Sequence, residues 1–245
     1  MRRLATLAVA TVLLAGCGGG GGALRLFAAS SLTEAFQQLE PKAQATFAGS
    51  DELAFQLEQG AKADVYASAS PKYPKRLFGE KLVDKPQVFA TNSLVLIVPK
   101  GNPGDVTGLG SLMKPGVKLV LGATGVPVGD YARKVLTRFC RSIHQPQPGA
   151  CPRARIVSEE QDVKGVVSKI ALGEADAGLV YATDVKPVAD KVRALGIARL
   201  FQPTVRYEIA IVRGAKHRKA AEEFVALVTG PRGRAALSAH GFGLP

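Results

Sequence analysis

Four short segments of this chain place small or hydroxyl-bearing residues where a strand-like run hands over to a helical one. Ser30-Ser31-Leu32-Thr33 follows an apolar run, and Gly49-Ser50-Asp51-Glu52, Gly125-Val126-Pro127-Val128-Gly129 and Glu160-Gln161-Asp162-Val163 each open a helix-patterned stretch. The first turn of a helix carries N–H groups without intrahelical acceptors and a partial positive charge. One serine at such a point is commonly just a cap. Four such points together could surround an anion with hydrogen-bond donors and no formal charge. A fully deprotonated oxyanion offers only acceptors and suits such a site. A protonated phosphate would leave its O–H facing no acceptor, at a cost of roughly 1–3 kcal/mol. Asp51, directly after Ser50, reads as a carboxylate favouring its helix N-terminus.

Other chemistries find less support. There is no G-x-S-x-G segment, and His217 lies among Lys216, Arg218 and Lys219, which reads as a solvated basic turn. An exported enzyme using Ser31 or Ser50 with His217 or His240 remains the alternative from a different class. No CxxC or Cys/His spacing suggests a metal site.

The elements that must position these residues alternate. Strand-like runs are expected at Arg25 to Ala29, Asp64 to Ala67, Val88 to Val98, Lys118 to Leu121, Arg155 to Val157, Ala177 to Tyr181 and Tyr207 to Val212. Helices are expected at Thr33 to Leu39, Asp51 to Gln59, Pro71 to Phe78, Val128 to Phe139, Val163 to Leu172, Ala215 to Thr229 and Pro231 to Ala239. The Val88 to Val98 run is the longest, and Leu94 to Val98 is apolar on both faces, as a buried strand requires. This order predicts two α/β lobes with mixed, mostly parallel sheets, joined by two crossings with a ligand cleft between them. Lobe 1 is expected over residues 24–91 and 206–245, and lobe 2 over residues 92–205.

Several motifs resemble one family in order and spacing. Phe27-Ala28-Ala29-Ser30-Ser31-Leu32-Thr33, Phe47-Ala48-Gly49-Ser50, Gln59 to Ala69, Asn92 to Lys100, Val126-Pro127-Val128-Gly129-Asp130-Tyr131-Ala132, Gly178-Leu179-Val180-Tyr181, Tyr207 to Val212 and Gly241-Phe242-Gly243 look like the substrate-binding proteins of molybdate ABC importers, the ModA family. The resemblance spans nearly all of residues 24–245 and implies a two-lobed, type II periplasmic-binding-protein-like fold. It also implies a tetrahedral dianion held by the Ser31 and Ser50 hydroxyls, the backbone amides of Val128 and Val163, and Tyr181. The implied function is non-enzymatic: a monomer without a resident cofactor takes up molybdate or tungstate and delivers it to an ABC permease with its ATPase subunits. A sulfate receptor, or a lobe pair that signals on closure, is the nearest alternative.

The leader fits an exported protein. Arg2 and Arg3 precede an apolar stretch from Leu4 to Ala15, too short to span a bilayer and patterned as a secretory signal peptide, residues 1–16. Leu14-Ala15-Gly16-Cys17 resembles the lipobox of bacterial lipoproteins, so Cys17 is expected to carry lipid at the head of a glycine-rich tether, residues 17–23. An ordinary signal peptide cut elsewhere is the alternative. The mature chain would then be an extracytoplasmic protein anchored at the membrane, on the cell surface or in a periplasm. In an oxidising compartment Cys140 and Cys151, which flank a Pro/Gln-rich excursion, are expected to form a disulfide, free thiols being the alternative. Losing residues 1–16 lowers the formal charge from +12 to +10. That balance would speed the arrival of small anions, favour anionic headgroups, or simply solvate the surface. With 6% aromatics, no Trp and no basic block longer than two, nucleic acid is a poor partner.

Overall fold

The computed structural model describes residues 22–144, 151–152 and 154–245. The signal segment, Cys17 and most of the glycine tether lie outside the described residues, as do residues 145–150 of the excursion. The chain runs β1 (Arg25–Ala29), α1 (Thr33–Leu39), β2 (Gln44–Ala48), α2 (Ser50–Glu58), β3 (Val65–Ser68), α3 (Lys72–Gly79), β4 (Gln87–Asn92), β5 (Leu94–Pro99), β6 (Lys118–Gly122), α4 (Pro127–Ser142), β7 (Arg155–Glu160), α5 (Val163–Ala171), β8 (Ala177–Tyr181), β9 (Val192–Gly196), β10 (Val205–Ile211), α6 (Arg218–Thr229) and α7 (Pro231–Ala239). Short 3-10 turns at Ser30–Leu32, Leu109–Met113, Ala182–Asp184, Lys186–Val188 and Arg199–Phe201 are additions the periodicity does not show. So is β9, an edge strand of β5 whose residues are mostly exposed and carry no clean alternation.

Two five-stranded sheets form two lobes, one in the order β2-β1-β3-β10-β4 and the other β7-β6-β8-β5-β9. Both are mixed, but parallel pairs are not the majority. In each sheet two pairings are parallel and two antiparallel. The antiparallel pairs come from the strands that carry the chain between lobes. β10 enters the first sheet against β3 and β4, and β5 enters the second against β8 and β9.

The expected single run from Val88 to Val98 is two strands in different sheets. Asn92 Oδ1 accepts the Ser93 N–H at 2.9 Å, which takes that donor out of any strand ladder and breaks the run there. β5 behind the break is buried along most of its length, as its apolar sequence demands. The second crossing lies against the first: the Gln202 side chain accepts from Leu94 N at 2.9 Å and donates to Leu94 O at 2.7 Å. Within each lobe the parallel strands aim their carboxyl ends, and the N-termini of α2, α4 and α5, at the space between the sheets.

Cys140 near the end of α4 is bonded to Cys151, with Cα atoms 5.7 Å apart. Closing a loop of this size contributes on the order of 3 kcal/mol by constraining the unfolded chain. Cys140 lies thirteen residues beyond the start of α4 at Pro127, roughly 20 Å along the helix. The bridge therefore braces the far end of the helix from the interlobe space.

Candidate anion-binding site

A small enclosure with about 10 Å³ of free space lies between the lobes. Ala29, Ser30, Ser31, Ala48, Gly49, Ser50 and Ala69 wall it from the first lobe, and Val126, Pro127, Val128, Asp162, Val163 and Tyr181 from the second. All five residues expected to hold a ligand, Ser31, Ser50, Val128, Val163 and Tyr181, thus line one enclosure.

Each is delivered by a local rule. Val128 is the second residue of α4, which Pro127 opens with its fixed φ and no N–H to satisfy. Val163 opens α5, whose Asp162 N-cap accepts from Gly165 N at 2.8 Å. The amides of Val128 and Val163 are first-turn amides without an intrahelical acceptor. Ser50 is the first residue of α2, and its side chain is not the cap: its Oγ accepts from Ala69 N at 3.1 Å, which leaves its own proton free to point elsewhere. Ser31 sits in the 3-10 turn after β1, with Oγ 2.9 Å from Tyr207 Oη. The Tyr181 hydroxyl is fully buried and has no hydrogen-bond partner among the described residues. A buried polar group left so costs roughly 1–3 kcal/mol unless something accepts its proton.

Among the described residues no lysine or arginine lines the cavity. The carboxylate among its described lining residues, Asp162, is occupied as a cap. Asp51 does not line it; the carboxyl is held at the start of α2, and burial, opposed by the amides of Asp51 and Glu52, raises its pKa. The enclosure is therefore a set of uncharged donors at converging helix N-termini, which binds an acceptor-only anion.

Contacts across the cleft hold the lobes together around it. Lys164 of α5 reaches Glu34 of α1 at 2.7 Å and Asp184 of its own lobe at 3.7 Å. The Tyr73 hydroxyl donates to Gly125 O, and Lys72 lies 3.6 Å from Asp130.

Asp184 is fully buried, and neither carboxyl oxygen has a hydrogen-bond partner among the described residues. Burial pushes its pKa up to about 7, against the pull of Lys164 and with the repulsion of Glu34 and Asp162. The folded protein then keeps a proton that the unfolded chain releases near pH 4, so stability falls as pH rises from about 4 to about 7 and levels off above. An Asp184→Asn variant has no such proton. Its urea-unfolding free energy relative to the parent should therefore improve by about 1.4 kcal/mol for each step of one in pH across that window. A gap that does not change with pH would contradict this.

Among the described residues neither histidine considered for an enzyme hydrogen-bonds a cavity serine, although His240 lines a small neighbouring pocket with Ser31. His217 is not a solvated turn residue. Its side chain is only 11% exposed, with Nδ1 2.9 Å from Asp64 Oδ2. Asp64 also takes the Arg25 guanidinium at 2.8 Å, and against the effect of burial Arg25 and His217 hold its carboxyl well below the usual range. Charges crowded in sequence from Lys216 to Lys219 give no sign of a buried acceptor 153 positions away. That cluster sits where β1 and β3 begin, the opposite end of the sheet from the cavity. His240 Nε2 pairs with Gln38 Oε1 at 2.7 Å. Among the described residues no group of His, Cys, Asp and Glu has the arrangement of a metal site. No described helix is long and apolar enough to cross a membrane.

Two lobes, two crossings and a small polar enclosure between helix N-termini define a solute-binding protein. The family model for bacterial extracellular solute-binding proteins matches residues 24–243, and the chain belongs to that family, among the ModA proteins its motifs resemble. The molybdate-binding protein ModA of Mycobacterium tuberculosis (strain H37Rv) is 35% identical over 236 residues, covering 92% of this chain and 86% of the relative. ModA of Haemophilus influenzae is 30% identical, covering 99% of both chains. The periplasmic molybdate-binding protein of Azotobacter vinelandii shares the fold, with a TM-score of 0.76 at 20% identity over 91% of this chain and 99% of that one.

Proposed function

We propose that this chain binds molybdate or tungstate outside the cytoplasm and hands it to an ABC permease and its ATPase subunits. The observation that carries this reading is an interlobe cavity walled by Ser31, Ser50, Val128, Val163 and Tyr181 with no lysine or arginine among the described residues of its lining. Relatives named for molybdate binding support the choice among oxyanions. The Ser31 and Ser50 hydroxyls, the two first-turn amides and the Tyr181 hydroxyl donate to the oxygens of a dianion that needs no proton acceptor. Donors from both lobes make the ligand part of the closed state, and closure is what a permease reads. A transport role follows from this reading: among the described residues Ser31 pairs with Tyr207 and Ser50 with the Ala69 amide, and His217 and His240 bond to Asp64 and Gln38 instead.

Cys17 carries the anchor in this reading. The tether joins the first lobe at the start of β1, the end of the sheet away from the cavity, so the cleft is free to face a partner. Two acyl signals are needed for stable attachment, one chain giving only marginal binding.

Crystals grown with tungstate test the site. The anomalous peak of tungsten is expected inside the enclosure, within hydrogen-bond reach of the Ser31 and Ser50 hydroxyls, the Val128 and Val163 amides and the Tyr181 hydroxyl. A peak elsewhere, or none, would overturn the assignment.

A further inference from the structure

We propose that Tyr207 is a positioning residue of this site: its hydroxyl fixes the Ser31 hydroxyl as a donor toward the cavity and so sets the preference for oxyanions that carry no proton. The inference rests on the oxyanion reading above and goes beyond the residues that line the cavity.

A hydroxyl can donate or accept, so a serine in an anion site selects nothing until its lone pairs are engaged. For Ser50 the direction is set by Ala69 N–H, which can only donate and so takes one Oγ lone pair. Ser31 has no such amide; its Oγ faces the Tyr207 hydroxyl at 2.9 Å, and either atom could be the donor. The next residue in the chain of bonds decides it. Asn92 Oδ1 accepts from Ser93 N at 2.9 Å, which fixes the amide orientation. Asn92 Nδ2 then faces Tyr207 Oη at 3.3 Å and Thr183 Oγ1 at 3.0 Å, and an amide nitrogen only donates. With Asn92 Nδ2 donating to Tyr207 Oη, Ser31 Oγ is the acceptor left for the Tyr207 proton among the described residues, so the Tyr207 proton goes to Ser31 Oγ and the Ser31 proton goes to the cavity.

The tyrosine has little freedom to do otherwise. It is fully buried, with its ring edge-to-face against Phe89, Tyr181 and Phe242. Burial also drives its pKa well above the ordinary value, so the donor proton stays in place. The relay begins at the break between β4 and β5 and, through Thr183, touches the second lobe. With a donor already on each serine Oγ, the serine protons are the groups turned to the cavity, and an oxyanion that bears a proton must compete with those donors for the acceptor capacity that is left.

The test compares Tyr207→Phe with the parent by titration calorimetry at about pH 8, where molybdate and hydrogen phosphate carry equal charge. Molybdate affinity should fall by roughly five- to a hundredfold, the range for a hydrogen bond near a charged group. Hydrogen phosphate should lose less or gain, because Ser31 Oγ, released from Tyr207, can turn a lone pair to the cavity, so the ratio of the two dissociation constants narrows. Adding Tyr207→Phe to Ser31→Ala should cause no further narrowing. An equal loss for both anions, or a loss that adds to that of Ser31→Ala, assigns Tyr207 to packing and overturns the proposal. Unchanged binding in Tyr207→Phe overturns it too, whereas a parent that binds no oxyanion sinks the functional reading itself. If Tyr207→Phe does not fold, Asn92→Ala, which removes the donor that orients Tyr207, should narrow the same ratio, and an unchanged ratio there refutes the relay.

Discussion

Replacing Gly49 with alanine is expected to weaken oxyanion binding by roughly 5- to 150-fold while leaving the ligand-free protein folded and nearly as stable as the parent. A Cβ at this position would lie 2.5 Å from the Gln161 carbonyl oxygen, a backbone atom of the opposite lobe that cannot rotate away. The other close atom, Asp51 Oδ1 at 2.8 Å, belongs to a side chain and can move. Gly49 itself has φ −58 and ψ 136, open to alanine, so the first lobe is not strained by the change. The cost falls on the approach of the two lobes. Forcing a methyl group into a packed contact costs about 1–3 kcal/mol, and every 1.4 kcal/mol is about tenfold in affinity. The weaker N-cap at α2 takes at most about 1 kcal/mol from folding. Calorimetry with molybdate alongside urea unfolding of the ligand-free protein separates the two effects. Parent-like affinity would mean that the lobes bind ligand without the Gly49–Gln161 approach.

The local rules of the fold are legible in the chain. β8 and α7 begin and end where apolar periodicity and Pro231 place them, and Pro127 and Asp162 mark the openings of α4 and α5. Those same signals bring Val128 and Val163 to the cavity wall, because a helix start at the carboxyl end of a parallel strand must face the interlobe space. What lies beyond local pattern is whatever long-range pairing decides. Tyr207 meets Ser31 across 176 positions, and nothing in the alternation of β10 separates that tyrosine from an ordinary core residue. The break at Ser93 depends on a side-chain acceptor that competes with a strand ladder, and hydropathy does not register it. His217 escapes a reading from sequence for a related reason. Its neighbours along the chain are cations, but its neighbour in space is a buried carboxylate. Gly49 shows its purpose only against a residue of the other lobe.

Ligand-induced stabilisation, compared across anions, reads the selectivity of the enclosure itself. An enclosure of neutral donors that selects an unprotonated tetrahedral dianion should bind molybdate and tungstate to the folded protein alone. At a hundredfold excess over the dissociation constant either should raise the unfolding free energy by about 2.7 kcal/mol. For a chain of this length that is about 5–10 °C in melting temperature. Sulfate, smaller and equally charged, should shift it weakly, and hydrogen phosphate, which brings a proton that the site does not accept, least of all. Ser31→Ala and Tyr181→Phe should each shrink the molybdate shift through a loss of roughly 1–3 kcal/mol in binding, while Val128→Ala, which keeps its amide, should change it little. The expected order of the shifts is molybdate and tungstate, then sulfate, then phosphate. Equal shifts with sulfate and molybdate would make the protein a sulfate receptor, and no shift with any oxyanion at millimolar concentration would contradict the account.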